Sequence, residues 1–276
     1  MKQNKSYKLR IYPNKTQEEL INKTFGSNRF IWNIVLDYKQ KLYSSRKKFY
    51  GKYDSIKDIK LIKDLPDFSF LKEIDSVSLQ QTLLNLDQAY QNFFRKLKQR
   101  QKTSIKFKSK HNKQTYRTLN NNNSIKISDK TIKLPKLGHI RFKDKREIKE
   151  KIKSATVSKT LTGKYFCSVL VEYNFEPNKP LVIDKSKVFS ADMSAKQFMV
   201  SEEMEFENQK FYRTNERKLR IKHRRLSRKQ KGSNNRQKQK RSLVSFYEQI
   251  TNKRKGFQKN LFTDLFPSLM FSVLKI

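Results

Sequence analysis

The residues with the clearest chemistry in this chain are cations. Between residues 210 and 259 stand 19 Lys or Arg and only two acids, Glu216 and Glu248. Helices usually intersperse both signs, so a stretch this poor in acids repels itself unless phosphates lie close by. Leu219, Leu226, Leu243, Phe246 and Ile250 add a sparse apolar stripe, which predicts two basic helices joined at Lys231-Gly232-Ser233-Asn234-Asn235. A second basic stretch runs from Arg95 to Arg117 and alternates lysines with aromatic and short polar residues through Ile105-Lys106-Phe107-Lys108-Ser109-Lys110. That pattern suits phosphate clamping with base contact, or a flexible basic connector between domains.

Other chemistry is thin. Asp192 stands at the end of an expected strand before a hairpin and is the single carboxylate worth weighing as catalytic. Two-metal nucleases need several carboxylates on cations about 3.5–4 Å apart, so Asp192 alone reads as a relic or a turn residue. Ser78, Gln80 and Gln81 sit on a long amphipathic helix, off its apolar stripe, where glutamine amides could read adenine edges. Cys167 lies in an alternating strand and is expected to be buried and inert. With His111, His139 and His223 scattered, no four-ligand zinc site follows, and no metal or cofactor is expected.

Composition supports a polyanionic partner. The 276 residues carry 64 Lys plus Arg against 25 Asp plus Glu, a formal charge of +39. This excludes an ordinary metabolic enzyme and leaves nucleic acid or an anionic membrane as the counterpart. Hydrophobic residues at 35% and aromatics at 12% argue for a folded chain rather than a disordered one. The N-terminus lacks an apolar leader segment and no run is long enough to span a bilayer, so a cytosolic, nucleoid-associated prokaryotic protein is expected, with no membrane partner.

The elements that must position these residues follow from periodicity. Tyr7, Leu9 and Ile11 alternate in a strand stopped by Pro13. Asn14 with Gln17 can cap a first helix, which Gly26 is expected to interrupt, and Asp75 or Ser76 caps a regular helix carrying Leu79, Leu83, Leu86, Tyr90, Phe93 and Leu97. Residues 14–100 therefore read as a helical bundle. From Ile125 to Tyr173 the period becomes two, giving a meander of short antiparallel strands expected to form a barrel. After a linker at Glu176–Pro180, Lys187–Ala191 and Phe198–Val200 suggest a hairpin.

The ordered motifs resemble the transposon-encoded RNA-guided nuclease family called TnpB or OrfB, relatives of type V CRISPR effectors. They are Arg10-Ile11-Tyr12-Pro13-Asn14, Arg29-Phe30-Ile31-Trp32-Asn33, Leu79-Gln80-Gln81 through Phe93-Phe94, Phe107-Lys108-Ser109-Lys110, Gln114-Thr115-Tyr116-Arg117-Thr118 and Arg224-Arg225-Leu226-Ser227-Arg228 through Arg236. The resemblance implies an α+β protein. Its parts would be an oligonucleotide-binding-like β-barrel (wedge; residues 1–13 and 116–180), an inserted helical recognition domain (14–115) and a truncated RNase H-like RuvC domain (181–276). It further implies a guide RNA and a double-stranded DNA target as partners of a monomer. Ser78, Gln80, Gln81, Tyr116 and Thr118 would lie near a short flanking DNA motif. Lys106, Lys108, Lys110, Arg117, Arg224, Arg225, Arg228, Lys229 and Arg236 would line RNA and heteroduplex phosphates.

Two departures from the family pattern shape the expected activity. Asp192, in Ser190-Ala191-Asp192-Met193-Ser194, occupies the first RuvC catalytic position, whereas Ser272 stands where the family has its second, glutamate ligand. The third acidic motif and the zinc-ribbon cysteines do not occur before Ile276. The resemblance is therefore closest to the nuclease-dead TldR branch: a non-enzyme that represses transcription through a stable R-loop. The alternatives are a metal-dependent nuclease that borrows carboxylates, and a non-functional transposon remnant.

Overall fold

The computed structural model describes residues 1–46, 50–144, 146–174, 190–194, 196–201 and 204–265. The chain divides into two units, 1–177 and 178–276.

The first unit is built on one seven-stranded antiparallel sheet. Its strands are β1 (Lys2–Tyr12), β2 (Gln114–Leu119), β3 (Lys126–Ser128), β4 (Thr131–Leu134), β5 (Gly138–Phe142), β6 (Lys151–Lys159) and β7 (Tyr165–Asn174), in the order β2-β6-β7-β1-β5-β4-β3. The first strand in sequence thus lies inside the sheet, paired along its length with β7 and at its end with β5. Alternation decides which face is buried: Tyr7, Leu9 and Ile11 of β1 point the same way as Tyr165, Cys167, Val169 and Val171 of β7. Among the described residues β2 and β3 remain the two edges, so the hydrogen-bonded ladder is an open order where a barrel was expected.

Between β1 and β2 the chain forms α1 (Lys15–Arg46), α2 (Lys52–Asp64), a 3-10 segment (Pro66–Glu73) and α3 (Ser76–Lys98). The start of α1 is a reciprocal cap. Gln17 N donates to Asn14 Oδ1 at 2.8 Å and Asn14 N donates to Gln17 Oε1 at 3.1 Å. Gln17 Nε2 also donates to the carbonyls of Leu137 and His139, fixing the helix to the sheet.

The expected break at Gly26 does not occur, and α1 continues through it for 32 residues. A mid-helix glycine costs about 1 kcal/mol relative to alanine. Packing offsets that, because Ile21 and Phe25 enter the sheet core while Ile31, Trp32, Val35 and Leu36 enter a second core with Leu71, Leu79, Leu83 and Leu86. One helix therefore belongs to both cores.

In the second unit, β8 (Gln197–Val200) pairs with β9 (Glu205–Glu207), followed by α4 (Phe211–Thr214), α5 (Glu216–Ser227) and α6 (Asn234–Leu265). The turn between α5 and α6 contains Gly232 at φ +90°, a left-handed conformation that glycine adopts without steric cost. The expected strand at Lys187–Ala191 falls largely on residues outside those described, as do the linker and Ser272.

Candidate nucleic-acid interface

The basic stretch after α3 is docked, not a free connector. Asn33 on α1 accepts from Lys108 N at 2.8 Å through Oδ1 and donates to Lys108 O at 2.9 Å through Nδ2, imitating a strand pairing with a side-chain amide. Trp32 Nε1 donates to Lys106 O at 3.2 Å, and Lys108 Nζ lies 3.6 Å from the centre of the Trp32 ring. Burial pushes the Lys108 ammonium below its ordinary value. Lys106, Lys110 and Arg117 remain exposed along the same path. In the sequence the Trp32-Asn33 pair stands out only by family resemblance, and its role as a loop clamp depends on partners more than 70 residues away.

The residues expected near a flanking DNA motif lie at the seam between α3 and β2. Ser78, Gln81, Tyr116 and Thr118 are all buried, while Gln80 is half-buried. Asp75 organises the seam: its Oδ1 caps α3 by accepting from Val77 N at 3.1 Å, and its Oδ2 accepts from Thr118 Oγ1 at 2.5 Å. Ser78 Oγ donates to the Asp75 carbonyl at 2.8 Å. Ser78 and Gln81, read as lying off the buried stripe, are therefore on it. Three- and four-residue steps from Asp75 bring Ser78, Thr82 and the seam onto one helix face. Tyr116 packs on Phe25 with ring centres 5.8 Å apart, and desolvation holds its phenol pKa well above the usual value.

The second unit presents charge differently. A small core of Leu219, Leu243 and Ile250 joins α5 to α6. Lys222 Nζ donates to Ser242 Oγ and His223 Nε2 shares a hydrogen bond with Tyr247 OH, both at 2.8 Å. Arg236 is half-buried, and its Nη1 donates to the carbonyls of Leu226 and Lys229 at 2.7 and 2.9 Å. It therefore caps the end of α5. By contrast Arg224, Arg225, Arg228 and Lys229 are exposed and have no ion-pair partner among the described residues. Arg220 pairs with Glu216 at 3.0 Å.

Asp192 is exposed, bridges Val200 through two backbone hydrogen bonds, and accepts from Met193 N at 2.8 Å. No group of three or more acids, histidines or cysteines suited to a metal ion occurs among the described residues. Those residues therefore do not by themselves fit a two-metal centre. Cys167 is fully buried, with its thiol pushed up to about 12 by desolvation, in keeping with an inert core thiol. No helix among the described residues is long and apolar enough to cross a membrane.

Comparison with known proteins adds what the geometry lacks. A family described as "Helix-turn-helix domain" (HTH_OrfB_IS605) matches residues 1–48, and one described as "Probable transposase" (OrfB_IS605) matches 168–270. The described part of the first segment is a strand followed by one long helix, with no turn between two helices. The chain is 31% identical over 261 residues to the Escherichia coli (strain K12) protein "Putative RNA-guided DNA endonuclease InsQ", covering 93% of this chain and 62% of that protein. A Streptomyces pristinaespiralis protein with the same description is 26% identical over 95% of this chain and 64% of its own length. The Salmonella dublin virulence protein VsdF is 35% identical over 38% of this chain and 93% of its own length. The chain thus spans just under two thirds of the first two relatives. They overturn the expectation of a non-enzyme: both carry endonuclease names, and the transposase match includes the segment that holds Asp192.

Proposed function

This chain belongs to the TnpB/OrfB family of transposon-encoded proteins, and from that premise we propose that it is an RNA-guided DNA-binding protein of the endonuclease class. Its partners in this reading are a guide RNA and a DNA duplex. The guide supplies sequence by base pairing while the protein holds backbone and reads a short flanking motif. The sheet of the first unit would serve as the family's wedge, its helices as the recognition part, and the second unit as the RNase H-like part.

The observation that carries the binding half is the exposed cationic row at the end of α5 and in the turn that follows it, where Arg224, Arg225, Arg228 and Lys229 have no ion-pair partner among the described residues. Ordering such a row against its own repulsion is offset when phosphates replace the missing acids. The test is binding of the purified protein, with its co-purifying RNA, to duplexes that match or mismatch the guide segment. Tighter binding of the matched duplex by tenfold or more is expected; equal binding of both would overturn the reading.

Cleavage rests on the relatives' names and on the place of Asp192 in the transposase-matched segment. The described residues bring no three metal-binding side chains together, so a full set of metal ligands would need residues outside them. Incubation with Mg²⁺ and a matched duplex is expected to give cutting that Asp192→Ala abolishes. Guide-dependent binding without cutting by the wild-type chain would sink the enzymatic half alone.

A further inference from the structure

A cleft of about 250 Å³ opens where α1, α3, the docked basic loop and β2 meet, all within the first unit. Asn28 forms part of its lining. The side chain is 5% exposed, and neither its Oδ1 nor its Nδ2 has a hydrogen-bond partner. Buried amides are nearly always paired, because a buried donor or acceptor without a partner has given up its hydrogen bonds to water and gained nothing in return. An amide kept unpaired beside a polar cleft is therefore built to meet something that enters it. Arg29, half-buried on the next position of α1, and Arg117, exposed on β2, also line the cleft, and neither has an ion-pair partner among the described residues. Thr82 and Asn85 add neutral polar groups to the wall, and Lys108 and Lys113 add two more cations.

The ligand chemistry follows from this set. An amide offers one donor and one acceptor side by side, which matches a base edge, and two free guanidiniums beside it match phosphate. Adenine presents an adjacent donor and acceptor on both of its reachable edges, N6 with N7 and N6 with N1, and the asparagine amide pairs with such an edge in two hydrogen bonds. The cleft has room for one base and not for a duplex. Resting on the nucleic-acid reading above, we propose that it receives a single unpaired adenine nucleotide of a bound strand, with Asn28 on the base edge and Arg29 and Arg117 on the flanking phosphates.

The test uses the full chain washed free of co-purifying RNA at high salt, and measures binding by fluorescence anisotropy. The probes are single-stranded 20-nucleotide oligomers, in RNA and in DNA form, carrying either adenine or purine, which lacks the 6-amino group. The wild-type protein is expected to bind the adenine oligomer about tenfold more tightly than the purine one, and Asn28→Leu to lose that preference while retaining phosphate-driven binding. Preference in the RNA series alone identifies a guide nucleotide, and in the DNA series alone a displaced target strand; either supports the site. Equal wild-type binding of adenine and purine oligomers overturns it whatever the variant does. Guide-independent duplex binding would sink the proposed function without bearing on this comparison.

Discussion

The two basic regions of this protein solve the same electrostatic problem in opposite ways. In the first unit the cations ride on a segment clamped to α1 by Asn33 and Trp32, and one of them, Lys108, is partly desolvated against an aromatic ring. In the second unit a hairpin with only a small core holds Arg224, Arg225, Arg228 and Lys229 in open solvent. Clamped cations come with directional hydrogen bonds around them and so can discriminate. Free cations contribute through counterion release and are indifferent to sequence. The difference predicts that damage to the first region shows up as lost stability and altered preference, and damage to the second as a change in salt dependence.

The largest effect is expected at Asp75, which ties α3 to β2. Asp75→Ala removes a helix cap and the acceptor for buried Thr118, and should destabilise the first unit by about 3 kcal/mol, read from urea denaturation. A loss below 1 kcal/mol would mean that the seam does not depend on it. Next comes Asn33→Ala, which deletes both hydrogen bonds to Lys108 at a cost of about 2 kcal/mol. The loop from 99 to 113 should then be cut by trypsin well before the rest of the first unit. Unchanged protection would show that Trp32 alone holds it.

Two arginines in the other region sharpen the contrast, since each loses the same charge. Arg225→Gln should leave stability within about 0.5 kcal/mol and reduce the salt slope of nucleic-acid binding by about 0.7–0.9. Arg236→Gln should instead lower the stability of the α5–α6 hairpin by about 1–3 kcal/mol, because its guanidinium holds the carbonyls of Leu226 and Lys229. If both variants behaved alike, the division between bridging and phosphate-facing arginines would fail.

That division marks where sequence reasoning reached and where it stopped. The caps at Asn14 and Asp75, the alternating strands and the paired basic helices were legible, because each depends on neighbours within a few positions. The continuity of α1 through Gly26 was not, since it is decided by two cores that residues distant in sequence assemble. For the same reason Ser78 read as lying off the buried stripe, although Asp75, 43 residues before Thr118, joins Ser78 and Thr118 in one buried seam. Arg236 looked like one more cation in a basic run, and its carbonyl partners appear only once the turn at Gly232 folds it back. Asn28 gave no signal beyond its place next to Arg29.

The finest test concerns Lys108, whose ammonium is held below its ordinary value by burial, whereas its exposed neighbour Lys110 sits in solvent. In the alkaline window between the lowered folded value and the ordinary lysine value, the unfolded chain binds more protons at this site than the folded one. Stability contributed by Lys108 therefore rises with pH through that window, and below it the desolvation cost of the charged form is present in full. The expected result in an NMR titration of the lysine side chains is a midpoint for Lys108 below the ordinary lysine value. Asn33→Ala, by loosening the loop, should move that midpoint back up. A midpoint at the ordinary lysine value in the wild-type protein would mean that the ammonium stays hydrated above the Trp32 ring, and that the first region's cations are as free as those around the end of α5.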